Sequence, residues 1–188
     1  IVGVLYNFQL MKAAGENGVA AYGVIMYISI IFMAIFLGYS VGSAPIVSYH
    51  YGAGNHGELR NLFRKSLLLV SIAGGFLVVL SELLARPLVM IFASYDAELL
   101  ALTVRGFRLY ALAFLIMGIN AWGSAFFTAL NNGGVSAAIS FLRTLVFQML
   151  VILTLPRVLG LDGIWLSIVV AELLALLVTG SFLFGMRK

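Results

Sequence analysis

Apolar runs long enough to cross a bilayer alternate along this chain with short polar breaks. Crossing the hydrocarbon takes about 20 mostly apolar residues at about 1.5 Å each in a helix. Residues 1–11 are apolar but would make a helix only about 17 Å long, so they read as the last turns of a spanning helix whose start is missing. Residues 12–18, KAAGENG, form a turn, because Gly15 and the Asn17-Gly18 pair break helices. Residues 19–49 are a long span with Pro45 bending its end. Residues 61–84 are the next span, with Arg64 and Lys65 snorkelling at its start. Arg86-Pro87 is expected to break that helix and leave residues 88–93 as a short interfacial segment. Asp96 is placed to cap a helix that enters the membrane after Arg108 and runs to Leu130. Residues 131–134, NNGG, are a tight turn. Residues 135–155 span again until Pro156 stops them, and residues 163–184 are the last span, closed by Arg187-Lys188.

The pattern predicts an all-α integral membrane protein: a six-helix transmembrane bundle with the first helix truncated. A membrane β-barrel would alternate apolar and polar residues over stretches of about ten. These runs are apolar on every face. Composition agrees, with 63% hydrophobic residues, 10% charged residues and a mean hydropathy of +1.12. A soluble domain is about half apolar and about a quarter charged. The length suits one bundle rather than several domains. Because the chain starts at Ile1 with neither an initiator methionine nor a signal peptide, it is expected to be a piece of something longer.

The chain has no cysteine, so disulfides, thiolate metal sites and cysteine nucleophiles are excluded. The net charge is +4. Arg60, Arg64, Lys65, Arg187 and Lys188, with Arg143 entering from the same side, face only Glu58. On the other side Lys12, Arg86, Arg105, Arg108 and Arg157 meet five acidic residues. The Lys and Arg numbers nearly balance, and the denser cluster after Tyr49 places that side in the cytoplasm.

Residues 42–65, GSAPIVSYHYGAGNHGELRNLFRK, combine a glycine-rich turn with basic residues. A phosphate loop would need GxxxxGK[ST] between a strand and a helix. His50 and His56 have no second carboxylate nearby and make no metal face. The stretch reads as a helix end, a turn, and a basic juxtamembrane helix start that meets anionic headgroups.

The same residues carry a resemblance. Gly42, Ala44-Pro45, Ser48 and Gly52-Ala53-Gly54-Asn55, followed by Glu58, Arg60 and Arg64, resemble the loop between the second and third helices of a lobe in the multidrug and toxic compound extrusion (MATE) family. The segment Gly18-Val19-Ala20-Ala21-Tyr22-Gly23 resembles the start of the second helix of the second lobe. The run LDGIWLSIVVAE, ending at Glu172, resembles the family's last helix. The resemblance covers essentially all of residues 1–188. It implies the second, C-terminal lobe of a twelve-helix pseudo-symmetric transporter whose first lobe is absent from this sequence. It also implies exchange of H+ or Na+ for organic cations or drugs, no cofactor beyond that coupling ion, and residence in the cell membrane. The implied partners are the N-terminal lobe, lipids and a small organic cation, with no nucleic acid.

Polar groups at mid-membrane are the candidates for chemistry, because a charge there costs about 2.5–3.5 kcal/mol on insertion scales. Glu172 lies about 15 Å from either end of its helix and Arg143 about 12 Å into the preceding one. Across the hairpin at residues 156–163 they fall at similar depth. We therefore expect a polar layer of Asn120, Arg143, Gln148 and Glu172. Glu172 either binds the coupling ion or cationic drug, or forms a permanent pair with Arg143. The pair is the favoured reading. The resemblance implies that, in the sodium-coupled branch, an acidic residue of the fourth helix of this lobe belongs to the cation site; the matching position here is Asn120, which carries no charge. Ion coupling is therefore expected outside this chain. Asn7, Gln9, Asn120 and Gln148 are transport-pathway candidates. Tyr27, Phe32, Met33, Phe36, Phe114, Met117 and Trp122 would line an apolar, aromatic cavity, or simply fill the bundle.

Two other function classes are weaker. A flippase for a lipid-linked precursor, of the same superfamily, should carry several deep arginines for pyrophosphate, and only Arg143 is deep. An intramembrane enzyme would need a nucleophile–base pair or metal cluster at mid-depth. The sequence offers no catalytic and no metal-ligating set.

Overall fold

The computed structural model describes residues 1–185, so the expected closure of the last helix by Arg187-Lys188 lies outside the described residues. The described chain is helical throughout. The elements are α1 (Val2–Gly52), α2 (His56–Ala93), α3 (Ala97–Ala111), α4 (Phe114–Ala129), α5 (Gly133–Phe141), a π-helical stretch (Leu142–Phe147), α6 (Gln148–Thr154) and α7 (Pro156–Gly185).

Two of these elements contain sharp corners. Gly15 takes φ 63° and ψ −149°, a conformation open to glycine but strained for other residues. The chain folds back there, so that the rings of Tyr6 and Tyr22 stack with centroids 5.0 Å apart. The turn expected at KAAGENG is therefore a helical corner, and residues 2–14 form a helix antiparallel to the rest of α1. Gly160, with φ 58°, makes the equivalent corner in α7. With both corners the described residues make six helical passes, the first of them short.

Caps and turns follow local chemistry. Asp96 accepts from the backbone N–H groups of Glu98 and Leu99 and caps α3, as its position predicts. Asn131 takes φ 58° in the NNGG turn, and the Asn132 side chain caps α5. Asn55 caps α2 by accepting from the Glu58 N–H.

Three expectations need correction. Pro87 does not break α2, which runs unbroken to Ala93, so there is no separate interfacial segment at residues 88–93. Pro87 is exposed, while a buried stripe of Ser81, Ala85, Val89 and Ala93 continues past it at helical spacing. Packing of that stripe outweighs the lost hydrogen bond. Likewise Pro156 does not stop the fifth span: the Leu159 N–H bonds back to the Leu155 carbonyl and the chain turns at Gly160. Third, the span expected to end at Leu130 is two helices, α3 and α4, meeting at 49°. No glycine or proline marks the bend. The N–H groups of Ala113, Leu115 and Ile116 bond three residues back, which tightens the chain there. Ala111, Ala113 and Phe114 are fully buried at the bend, so tertiary packing imposes it.

The core divides into two clusters. One gathers Tyr6, Leu10, Ile25, Phe32, Phe36, Phe107, Phe114, Met117 and Trp165. The other gathers Val47, Val70, Trp122, Phe126, Phe127, Ile139 and Leu183. The side chains expected to line a cavity therefore pack inside this bundle. Phe32, Phe36, Phe114 and Met117 lie in the first cluster, Met33 packs against it, and Trp122 lies in the second. Tyr27 instead faces outward and stacks on Phe92.

Close approach at the bend depends on Gly74 of α2. A Cβ there would lie 2.7 Å from the Phe114 carbonyl oxygen and 3.2 Å from the Leu115 Cα, both backbone atoms that cannot swing aside. Its neighbour Gly75 has open space. Gly74→Ala is expected to destabilise the fold by about 1–3 kcal/mol, as overpacking does, whereas Gly75→Ala leaves stability unchanged or raises it. Equilibrium unfolding in detergent checks both, and equal effects would contradict the packing at the bend.

Candidate functional site

Glu172 sits on α7 with its side chain 1% exposed. The Arg143 Nε donates to both of its oxygens, at 2.8 and 2.9 Å. The Asn120 Nδ2 donates to Oε2 at 2.7 Å and to the Glu172 backbone carbonyl at 2.9 Å. Asn120 is fully buried and the Arg143 side chain is 13% exposed. Three elements that the chain visits separately, α4, the π-helical stretch and α7, thus converge on one carboxylate.

Local structure explains the placement of Arg143. It is the second residue of the π-helical stretch, whose wider turn shifts the side chains relative to a regular α-helix. Within that stretch the Thr144 hydroxyl donates to the Ser140 carbonyl, and this back-bonding fits a loosened turn. Nothing in the residues LRTLVF announces a π-helix.

The cluster has a defined electrostatic character. One guanidinium balances one carboxylate, and the neutral Asn120 amide fills a further acceptor site. Both carboxylate oxygens are engaged. Three of the roughly four acceptor positions of Glu172 are used and the side chain is buried, so an added cation would need the cluster to open. The Asn120 Oδ1 has no protein partner. Among the described residues no group of three or more His, Asp or Glu side chains could hold a metal ion. The cluster also divides the interior. Met117 and Trp165 lie on one side of it in the first core cluster, and Trp122 and Leu183 lie on the other side in the second.

The remaining candidates lie apart. Gln148 is half-buried and makes no hydrogen bond to a described residue, so the expected polar layer reduces to Asn120, Arg143 and Glu172. The Gln9 Nε2 donates to the Ile152 carbonyl at 3.2 Å. The usual partner of that carbonyl would be the N–H four residues on, and Pro156 has none. Gln9 therefore ties the first helix to the end of α6. Asn7 is exposed.

The sequence reading missed a hydroxyl cluster between α4 and α5. The Ser124 Oγ lies 2.9 Å from the Ser136 Oγ and 2.8 Å from the Ser140 Oγ, and the Thr128 Oγ1 lies 2.7 Å from the Ser136 Oγ. Thr128, Ser140 and Thr144 are exposed. The signal was present as hydroxyl residues four apart at 124/128 and 136/140/144, one face of each helix.

The hydrogen bonds to Glu172 are worth about 1.5–3 kcal/mol when the acceptor is charged. Asn120→Leu is expected to cost about that much stability. Asn120→Asp costs more, because it sets a second negative charge beside Glu172. Unfolding midpoints of the two variants test the ordering, and an Asn120→Asp variant as stable as the parent would contradict it.

The MatE family model matches residues 1–154. No curated protein matches. Solved structures match over nearly the whole chain. An outward-facing multidrug resistance MATE family transporter of the MOP superfamily superposes with a TM-score of 0.89 at 23% identity, over 99% of this chain and 42% of its own. A MOP superfamily transporter from Pyrococcus furiosus gives 0.89 at 22% identity, with the same coverage. The Vibrio cholerae MATE transporter VcmN gives 0.86 at 19% identity, over 98% of this chain and 42% of its own. The fold is shared, and the chain spans about 42% of the length of the structures it matches, which corresponds to one lobe.

Proposed function

Because the chain belongs to the MatE family and folds as one lobe of its transporters, we propose that it is the second lobe of a secondary antiporter that exports organic cations in exchange for H+ or Na+. The observation that carries this reading is the superposition of 99% of the chain on under half of each transporter. The remaining lobe would be its partner and would complete the pathway. The chain is a multi-pass membrane protein and its family is one of transporters, not enzymes.

The site geometry supports a division of labour. Arg143 and Asn120 occupy both oxygens of Glu172, and this carboxylate then serves to join helices. Coupling would reside in the other lobe. The exposed polar residues Asn7, Thr128, Ser140 and Thr144 are the better pathway candidates, because they face out of the bundle while Asn120 is buried. The flippase reading loses support, because Arg143, the deep arginine it would need for pyrophosphate, is committed to Glu172.

The test is ion-driven ethidium efflux from proteoliposomes. The two-lobe protein should export ethidium when given a proton or sodium gradient, and this chain alone should not. The charge-free double variant Arg143→Met/Glu172→Met should keep gradient-driven export in the two-lobe protein. Efflux by the chain alone would contradict the single-lobe reading. A folded double variant that no longer responds to the gradient would move coupling into Glu172.

A further inference from the structure

A cavity of about 570 Å³ opens at the end of the bundle that carries the GAGN turn. Its rim and its floor differ in chemistry. Arg60 and Arg64, one helical turn apart on α2, and His56 at the helix start line it from one side. Phe63, Phe126, Leu130 and Leu183 give it an apolar base continuous with the second core cluster. Tyr51 closes it from the end of α1. The cavity therefore sits where spans end and headgroups begin, with cationic groups above and hydrocarbon surface below.

The two arginines are free to act. Neither makes an ion pair with a described residue, and Glu58, the nearby acid, accepts from the Asn61 side chain instead. At the opposite end of the bundle five basic residues meet five acidic ones, and two of the arginines are paired. Arg105 pairs with Asp162, and Arg108 with Glu82 at 3.3 Å. Unbalanced positive charge is thus concentrated at this cavity. A guanidinium presents a planar fork of donors suited to phosphate oxygens, and two of them one turn apart can share one phosphodiester. Basic pockets between membrane helices bind anionic lipid headgroups on this principle.

We propose that this cavity is a binding site for one anionic glycerophospholipid, its phosphate held by Arg60 and Arg64 and the upper part of an acyl chain laid against Phe63 and Phe126. A soluble phosphate would use only the rim and leave the aromatic base uncovered. The proposal is independent of what the transporter carries.

Trp122 offers a built-in reporter. Its ring lies 5.7 Å from that of Phe63 and 4.9 Å from that of Phe126, just behind the proposed acyl position. Brominated acyl chains quench tryptophan at contact range. The two-lobe protein is reconstituted in phosphatidylcholine vesicles containing a small, fixed fraction of brominated phosphatidylglycerol or of brominated phosphatidylcholine. The Trp122 signal is the difference between the parent and Trp122→Phe. Brominated phosphatidylglycerol is expected to quench Trp122 at least about twofold more than brominated phosphatidylcholine. Arg60→Gln/Arg64→Gln should remove that excess without changing the melting temperature in phosphatidylcholine, since both side chains are exposed. Arg60→Lys/Arg64→Lys should keep part of it. Added inorganic phosphate should leave it unchanged. Equal quenching by the two lipids, an excess that survives the glutamine pair, or relief by inorganic phosphate would each overturn the proposal.

Discussion

An ionised carboxylate in the middle of a membrane lobe must be neutralised by groups brought from elsewhere in the chain, and here that need organises the bundle. Glu172 draws Arg143 from the π-helical stretch and Asn120 from α4, which fixes the relative depth of three helical passes. Apolar packing alone would leave such depths soft, because membrane helices have little hydrophobic incentive to prefer one neighbour over the surrounding lipid. A charge-assisted bond has a definite partner and direction. The two aromatic and aliphatic clusters then fill the space on either side of the polar layer. A buried ion pair is not by itself a source of stability, since removing two charges from water costs several kcal/mol each. Its effect is specificity, through the high cost of any arrangement that separates the partners.

This constraint also bears on transport. A residue that couples an ion gradient to movement must exchange its partner during the cycle. In this structure Glu172 is paired with Arg143, and the fully buried Asn120 closes the layer. On the function proposed above, the polar groups left for substrate are the exposed hydroxyls of α4 and α5. The cavity at the GAGN end adds a second contact with the surroundings, made through lipid rather than through substrate.

Much of this was legible in the residues. Apolar run lengths located the spans, and Gly15, Asp96 and the NNGG turn announced the corners and caps that the structure contains. The depth argument across the last hairpin put Arg143 level with Glu172 because helical rise is nearly constant. What escaped the sequence was set by tertiary packing. Pro87 looks like a stop in isolation, yet the buried stripe through Ala85 and Val89 carries the helix past it. The bend at Leu112–Ala113 has no local marker at all, and it exists where Gly74 lets α2 approach the backbone of Phe114. Gln148 lies about one turn beyond Arg143 yet makes no hydrogen bond to the polar layer. The aromatic residues of α1 and α4 could be assigned to a cavity or a core only once their neighbours were known.

The central claim is that Arg143 and Glu172 hold each other as a structural unit. A double-mutant cycle on unfolding free energy, with Met at each position singly and together, tests it most directly. Each single change leaves a buried charge without its partner and should cost about 3–5 kcal/mol, while the double change should recover much of that loss. Losses that simply add, or a Glu172→Met variant as stable as the parent, would contradict the account.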